Sequence, residues 1–366
     1  MVFMLAIPAA IIGGAFWYNQ SLKGENLSRF DAPKPVPTHP RETPSKGMAA
    51  VEKILDENFT RPNMAGTKDR DSLQAKRERF ENFGRGRDFF KEFGVIHKPV
   101  FLEAKTGSIG GEWAQAEGSD PHARILYLHG GAFSVGSARS HRAITARLAK
   151  STGCAVFAPD YRLMPENTRM DTITDARKAY RALLEIGPNG PAPVKALAIG
   201  GDSAGANLAL MLSAWARDEK LRPAEAVFAF SAPTDATASS PSIRANFETD
   251  IMLKPLVAPM LKIPPALLRP MLYKATGIKP NDPIVSPVFG NLSNLPPTLL
   301  QVSQAEMLFD DSVRYARKAQ KAGSAVTLQS WNHVPHVWHM FDEHLEETDE
   351  AFKEVAKFLK LNMRPA

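Results

Sequence analysis

The pentapeptide Gly201-Asp202-Ser203-Ala204-Gly205 constrains this chain of 366 residues more than any other feature. It closely follows the apolar run 196–199 and opens a helical run over 207–216. A G-x-S-x-G sequence between strand and helix is a nucleophile elbow, whose small flanking residues permit a strained turn that lifts the serine hydroxyl out. The helix N-terminus behind it favours developing negative charge. Strand candidates recur at 98–104, 124–128, 155–159, 196–199, 226–230, 298–302 and 325–331, most of them short, apolar and bounded by Gly, Pro or Asp. Helical periodicity falls at 49–59, 73–93, 143–151 and 173–186. Such alternation predicts an α/β fold with a mainly parallel sheet covered on both faces. Chemistry in such sheets belongs at the carboxyl ends of the strands.

Composition removes several other classes. With 44% hydrophobic and 23% charged residues the chain is too apolar for disorder. Its single cysteine, Cys154, allows neither an internal disulfide nor a cysteine-based zinc cluster. The formal charge of +6 carries no nucleic-acid signature, because basic residues between Lys68 and Glu92 alternate with acids instead of forming a one-sided stripe.

The oxyanion loop is read from His129-Gly130-Gly131-Ala132-Phe133, at the end of the apolar run 125–128. Consecutive glycines let backbone N–H groups converge on one point, so Gly130 and Gly131 are the expected donors, with Ala204 after the nucleophile as the third. Nucleotide-phosphate spacings are missing. A serine nucleophile needs a base oriented by an acid. Of the histidines beyond the last strand, His333 and His336 are near rivals by spacing. The acid belongs after the run 298–302, where Glu306 is nearest and Asp310 and Asp311 follow; Asp235 is a weaker candidate. The order Ser203, Glu306, His336 matches nucleophile, acid, histidine.

Those motifs, together with Tyr161-Arg162-Leu163-Met164-Pro165-Glu166, Asp282-Pro283-Ile284-Val285-Ser286-Pro287 and Leu295-Pro296-Pro297-Thr298, resemble the hormone-sensitive-lipase-like esterases of the α/β-hydrolase superfamily. The likeness runs from about residue 49 to 360. It implies the α/β-hydrolase fold with a helical cap built from about 49–93 and 238–279. It assigns Ser203 as nucleophile, His336 as base, Gly130, Gly131 and Ala204 as oxyanion hole, and Glu306 as acid in Glu306-Met307-Leu308-Phe309-Asp310, with Asp310 as the alternative. The chain departs from the family at Asn167-Thr168-Arg169-Met170, where a Phe-Pro element is usual. The implied activity is a serine carboxylesterase acting on short- to medium-chain acyl esters, with no cofactor or metal. Lactone or amide hydrolysis, or a non-catalytic ligand receptor, are the alternatives. Cap residues such as Met252, Leu253, Leu256, Met260, Leu267 and Met271 are candidates for an apolar acyl pocket.

The length exceeds what one core usually organises, about 250–300 residues, and the surplus lies at the N-terminus. Residues 2–22 carry no charged side chain, and as a helix they would span about 30 Å, enough for a bilayer core. Phe16, Trp17 and Tyr18 cluster as interfacial aromatics do. Lys23, Arg29, Lys34, Arg41 and Lys46 follow the run, which points to membrane contact with a cytoplasmic catalytic domain. A signal peptide cleaved near Gly13 and Ala15, with export, is the rival, as is a buried or peripheral helix. The proline-rich stretch 23–48 is expected to be an extended linker.

Overall fold

The computed structural model describes residues 18–60, 72–82, 86–105 and 107–363. Eight strands form one sheet: β1 (Val95–Ala104), β2 (Gly107–Ala116), β3 (Asp120–Leu128), β4 (Cys154–Pro159), β5 (Ala196–Asp202), β6 (Ala226–Phe230), β7 (Thr298–Ser303) and β8 (Val326–Trp331). Their order is β1-β2-β4-β3-β5-β6-β7-β8, and β2 alone runs against its neighbours. β2 escapes a periodicity reading because Gly107, Gly110 and Gly111 break its apolar pattern. The last of these is required by packing: a Cβ on Gly111 would collide with the Ala158 carbonyl of β4.

Among the described residues, ten α-helices of five or more residues complete the frame: α1 (Met48–Leu55), α2 (Leu73–Glu81), α3 (Phe89–Phe93), α4 (Arg142–Thr152), α5 (Arg169–Glu185), α6 (Ala204–Asp218), α7 (Lys254–Leu261), α8 (Pro265–Thr276), α9 (Phe309–Lys321) and α10 (Glu346–Asn362). The periodicity expected as one helix over 73–93 is split into α2 and α3. Gly86 sits at φ +86°, and the Asp88 side chain accepts from Lys91 N at 3.1 Å, starting a new helix. Alternate residues of the central strands feed two cores. Leu126 and Leu128 pack with α5, α6 and α9, whereas Ile125 and Tyr127 pack with α4 and α10. Strands buried on both faces explain why they read as continuous apolar runs.

A third cluster brings Met48, Val51 and Leu55 of α1 and Phe80 of α2 against Trp331 at the end of β8 and Val334 and Trp338 in the loop after it. The cap therefore packs on the segment that carries His336. The proline-rich stretch is extended but is no free tether. Thr38 N donates to Ser330 O at 2.7 Å, and Gln304 Nε2 donates to Pro35 O at 2.9 Å, so the stretch covers the open edge beside β8. Leu22, Leu27 and Phe30 are buried, which places the end of the expected apolar segment within the folded body. Residues 2–17 of that segment lie outside the described residues. Among the described residues no helix is long and apolar enough to cross a membrane.

Candidate active site

Ser203 occupies the turn between β5 and α6 with φ +48° and ψ −118°. Its N–H donates to Phe230 O at 2.8 Å, tying the elbow to β6. A Cβ on Gly205 would collide with the Leu128 carbonyl of β3, so the helix can start this close to the sheet only with glycine there.

His336 stands on the loop after β8 and is 1% exposed. Its Nε2 lies 3.0 Å from Ser203 Oγ and its Nδ1 3.2 Å from Glu306 Oε2. A carboxylate only accepts, so Nδ1–H donates to Glu306 and Nε2 is left to accept from the serine. The loop is held by Ser303 Oγ donating to Val334 O at 2.5 Å and by Val337 N donating to Ser231 Oγ at 3.1 Å. Ser231 Oγ in turn donates to Glu306 Oε2 at 2.7 Å. One hydroxyl thus orients the acid and the histidine loop together.

Glu306 lies in the turn after β7, fully buried, and its Oε1 has no hydrogen-bond partner among the described residues. Burial raises its pKa against the opposing pull of His336. Burial also resists charging His336, but the carboxylates of Glu306, Asp250 and Asp202 outweigh it and raise the imidazole above its ordinary value. Asp250 was not anticipated from the sequence. It comes from the cap insertion, is buried, and accepts from Met307 N at 2.7 Å and Leu253 N at 2.8 Å.

The oxyanion loop departs from expectation at one residue. Gly130 N–H donates to Asp202 Oδ1 at 3.0 Å, and Tyr127 OH donates to the same oxygen at 2.5 Å. The Asp202 side chain is buried under the elbow and takes the nearest donors, so Gly130 is removed from the expected donor set. Gly131 (φ +110°) and Ala132 (φ +51°) instead line the cavity with Ser203. Among the described residues, the N–H groups of Gly131, Ala132 and Ala204 make no hydrogen bond. Nothing in the sequence distinguished Ala132, because which N–H of the loop stays unengaged depends on where Asp202 folds. His129 is a loop-shaping residue: its ring stacks on Tyr161 at 4.1 Å, and Tyr161 OH donates to His129 O at 2.5 Å.

The remaining candidates lie elsewhere. Asp310 accepts from Ser242 N at 2.8 Å, and Asp311 accepts from Thr234 N and Asp235 N at 2.7 and 2.9 Å. Asp235 is engaged by Thr237 and Ser239. Neither these acids nor His333 reaches the Ser203–His336 pair. The cavity over Ser203 is about 230 Å³ and is walled by Phe59, Phe80, Val135, Met252, Leu253 and Leu256, with Lys76 and Arg79 at its side. Met260, Leu267 and Met271, expected as pocket residues, do not line the cavity and are exposed instead.

The strand order, the elbow at the end of β5 and the histidine loop after β8 define an α/β hydrolase. The sequence profile of a family described as alpha/beta hydrolase fold matches residues 125–340. An acetyl-hydrolase of Streptomyces hygroscopicus is 34% identical over 269 residues, 73% of this chain and 85% of its own. An esterase of Acinetobacter venetianus is 34% identical over 254 residues, covering 69% and 80%. The crystal structure of an esterase from the bacterial hormone-sensitive lipase family superposes with a TM-score of 0.74 at 28% identity, over 88% of this chain and all of that one. The chain belongs to the hormone-sensitive-lipase-like esterases of the α/β-hydrolase superfamily and is a carboxylic ester hydrolase.

Proposed function

We propose that the chain is a serine carboxylesterase that cleaves short- to medium-chain acyl esters through an acyl-enzyme on Ser203. The reading rests on one observation: the hydrogen-bonded series Ser203–His336–Glu306 opens into an apolar cavity beside the unengaged N–H groups of Gly131, Ala132 and Ala204. His336 Nε2 takes the hydroxyl proton as Ser203 Oγ attacks the ester carbonyl. The three N–H groups receive the charge that develops on the carbonyl oxygen, and His336 returns the proton to the departing alcohol. Water then repeats the sequence on the acyl-enzyme. Glu306 holds the tautomer and stabilises the imidazolium. Loss of a single oxyanion donor typically costs about 10²–10³ in rate.

The cavity walls support an acyl group of limited length, as does the naming of a relative for acetyl groups. The experiment is a rate profile over p-nitrophenyl esters from acetyl to palmitoyl, with lactones and arylacetamides alongside. Rates should be highest between acetyl and octanoyl. A lactone or amide turned over faster than every ester would replace this reading. Ser203→Ala should fold, lose turnover and lose labelling by a fluorophosphonate.

The charge-free run over 2–22 and the basic residues after it support membrane attachment with a cytoplasmic catalytic domain. Sedimentation of the full chain with membranes, and its protease sensitivity from the cytoplasmic side, test this. A mature N-terminus just after Ala15 would establish export instead.

A further inference from the structure

The departure Asn167-Thr168-Arg169-Met170 places a cation where local physics opposes one. Arg169 is the first residue of α5, behind the Thr168 cap, where the helix dipole repels positive charge. It is 2% exposed, and among the described residues no carboxylate pairs with it. Its NH1 is buried without a partner. Burying an unpaired charge is strongly unfavourable, so the surroundings must hold it in place. Two contacts do so. The guanidinium carbon lies 3.5 Å from the centroid of the Phe133 ring, a cation–π contact. NH2 donates to Asn207 Oδ1 at 2.8 Å.

Both partners belong to the oxyanion machinery. Phe133 directly follows Gly131 and Ala132, and its own backbone is at φ +60°. Asn207 lies in the first turn of α6, where its N–H donates to Ser203 O at 3.1 Å, and its Nδ2 is anchored on Pro233 O and Val285 O. One guanidinium therefore bridges the loop carrying two proposed donors and the helix carrying the nucleophile and the third. We propose that Arg169 is an electrostatic positioning residue for the oxyanion hole: it fixes loop and helix relative to each other and places a buried positive charge behind the developing oxyanion. Burial lowers its pKa to about 9, which leaves it charged at neutral pH. A preorganised charge in a water-poor site acts when the negative charge forms, so it belongs in kcat and not in substrate binding.

The inference rests on the proposed role of Ser203. The experiment compares Arg169→Met, which keeps bulk and removes charge, with Arg169→Lys, which keeps charge and gives up the planar stack. For p-nitrophenyl butyrate, Arg169→Met should lose tenfold or more in kcat with KM within twofold of wild type, and Arg169→Lys should stay within threefold. Affinity for an alkylboronic acid, which forms a tetrahedral anion on the serine, should fall in parallel in Arg169→Met and persist in Arg169→Lys. Wild-type kcat and boronate affinity in Arg169→Met would overturn the inference, as would equal losses in both variants, which would make shape and not charge the working property. If Arg169→Met does not fold, Arg169→Gln takes its place under the same criteria. A wild type that takes no fluorophosphonate at Ser203 would overturn the reading of the site and this inference with it. A labelled wild type beside an unaffected Arg169→Met would overturn this inference alone.

Discussion

Within hydrogen-bonding distance of His336 stand one hydroxyl and one carboxylate, and their effects on its charge state separate in a pH profile. In the proposed mechanism activity requires neutral His336, and its folded pKa is raised because the carboxylates of Glu306, Asp250 and Asp202 together outweigh the burial that opposes charging. The acid limb of kcat/KM is therefore expected above the ordinary histidine value of about 6.5. Glu306→Gln removes the raising carboxylate and leaves burial dominant, so the limb should move to lower pH while kcat falls by about 10³-fold or more. Asp310→Asn replaces the charged acceptor for Ser242 N with a neutral amide and should cost stability while leaving kcat within about tenfold. Steady-state rates from pH 5 to 9 for both variants decide the matter; the reverse order of losses would move the acid role to Asp310. The residue scale also shows how far sequence reaches. Gly201 to Gly205 was legible because the elbow is a local turn with local steric demands. His333 and His336 were inseparable by spacing, because the choice depends on which side chain is buried against Ser203. Gly130 was misread for the same reason: its N–H belongs to Asp202, a contact fixed only once β3 and β5 pair.

The cap and the acid turn are joined by one side chain. Asp250 accepts from Met307 N beside Glu306 and from Leu253 N beside the cavity wall, so the element that shapes the pocket also holds the turn that carries the acid. Its carboxylate contributes to raising His336, although less than Glu306 does. Asp250→Ala should lower kcat by about tenfold, the worth of roughly one lost buried hydrogen bond to a charged group, and should move the acid limb downward by less than Glu306→Gln. A pH profile unchanged from wild type would reduce Asp250 to a packing role. On the opposite side, Arg77 of α2 makes a two-pronged pair with Glu166 at 2.8 Å and donates from Nε to Ser134 O at 2.9 Å, next to the oxyanion loop. Arg77→Ala is expected to raise KM more than it lowers kcat, because it loosens the cap over the site without touching the reacting atoms; Michaelis–Menten curves with butyrate and octanoate esters would show the split. These couplings were invisible in sequence. They connect positions far apart in the chain, and Asp250 carries no motif of its own. β2 was hidden differently, since its glycines answer to the backbone of β4 and not to any pattern along the strand.

At the scale of the whole molecule, the stretch read as a linker closes the fold. Its prolines keep it extended, as composition implied, yet its partners are the Ser330 carbonyl and the side-chain amides of Gln304 and Asn332, which no composition reveals. By covering the edge beside β8 it also removes a surface on which a second chain would otherwise pair. The clamp is Arg41, whose guanidinium meets Glu346, Glu347 and Glu350 at 2.9, 3.1 and 2.7 Å. Two of these pairs are partly exposed and contribute little. Glu347 differs, because it is fully buried and among the described residues neither carboxylate oxygen has a hydrogen bond, which leaves the Arg41 ion pair to compensate its charge. Removing one partner of a buried pair typically costs about 3–5 kcal/mol; Arg41 is a quarter exposed, which argues for about 2–3 kcal/mol here. Arg41→Ala should lower the melting temperature by about 5 °C or more at unchanged kcat for the folded fraction. Arg41→Ala combined with Glu347→Gln should recover part of that loss, since a neutral amide then stands where the unpaired carboxylate would be. Deletion of residues 2–20 should leave the melting temperature unchanged and abolish sedimentation with membranes, because among the described residues Leu22 is the first that is buried. Deletion of 2–46 should destabilise by at least as much as Arg41→Ala and aggregate through the uncovered edge. A 2–46 deletion with wild-type stability would return the stretch to the status of a tether, and thermal melts of the four proteins would show which holds.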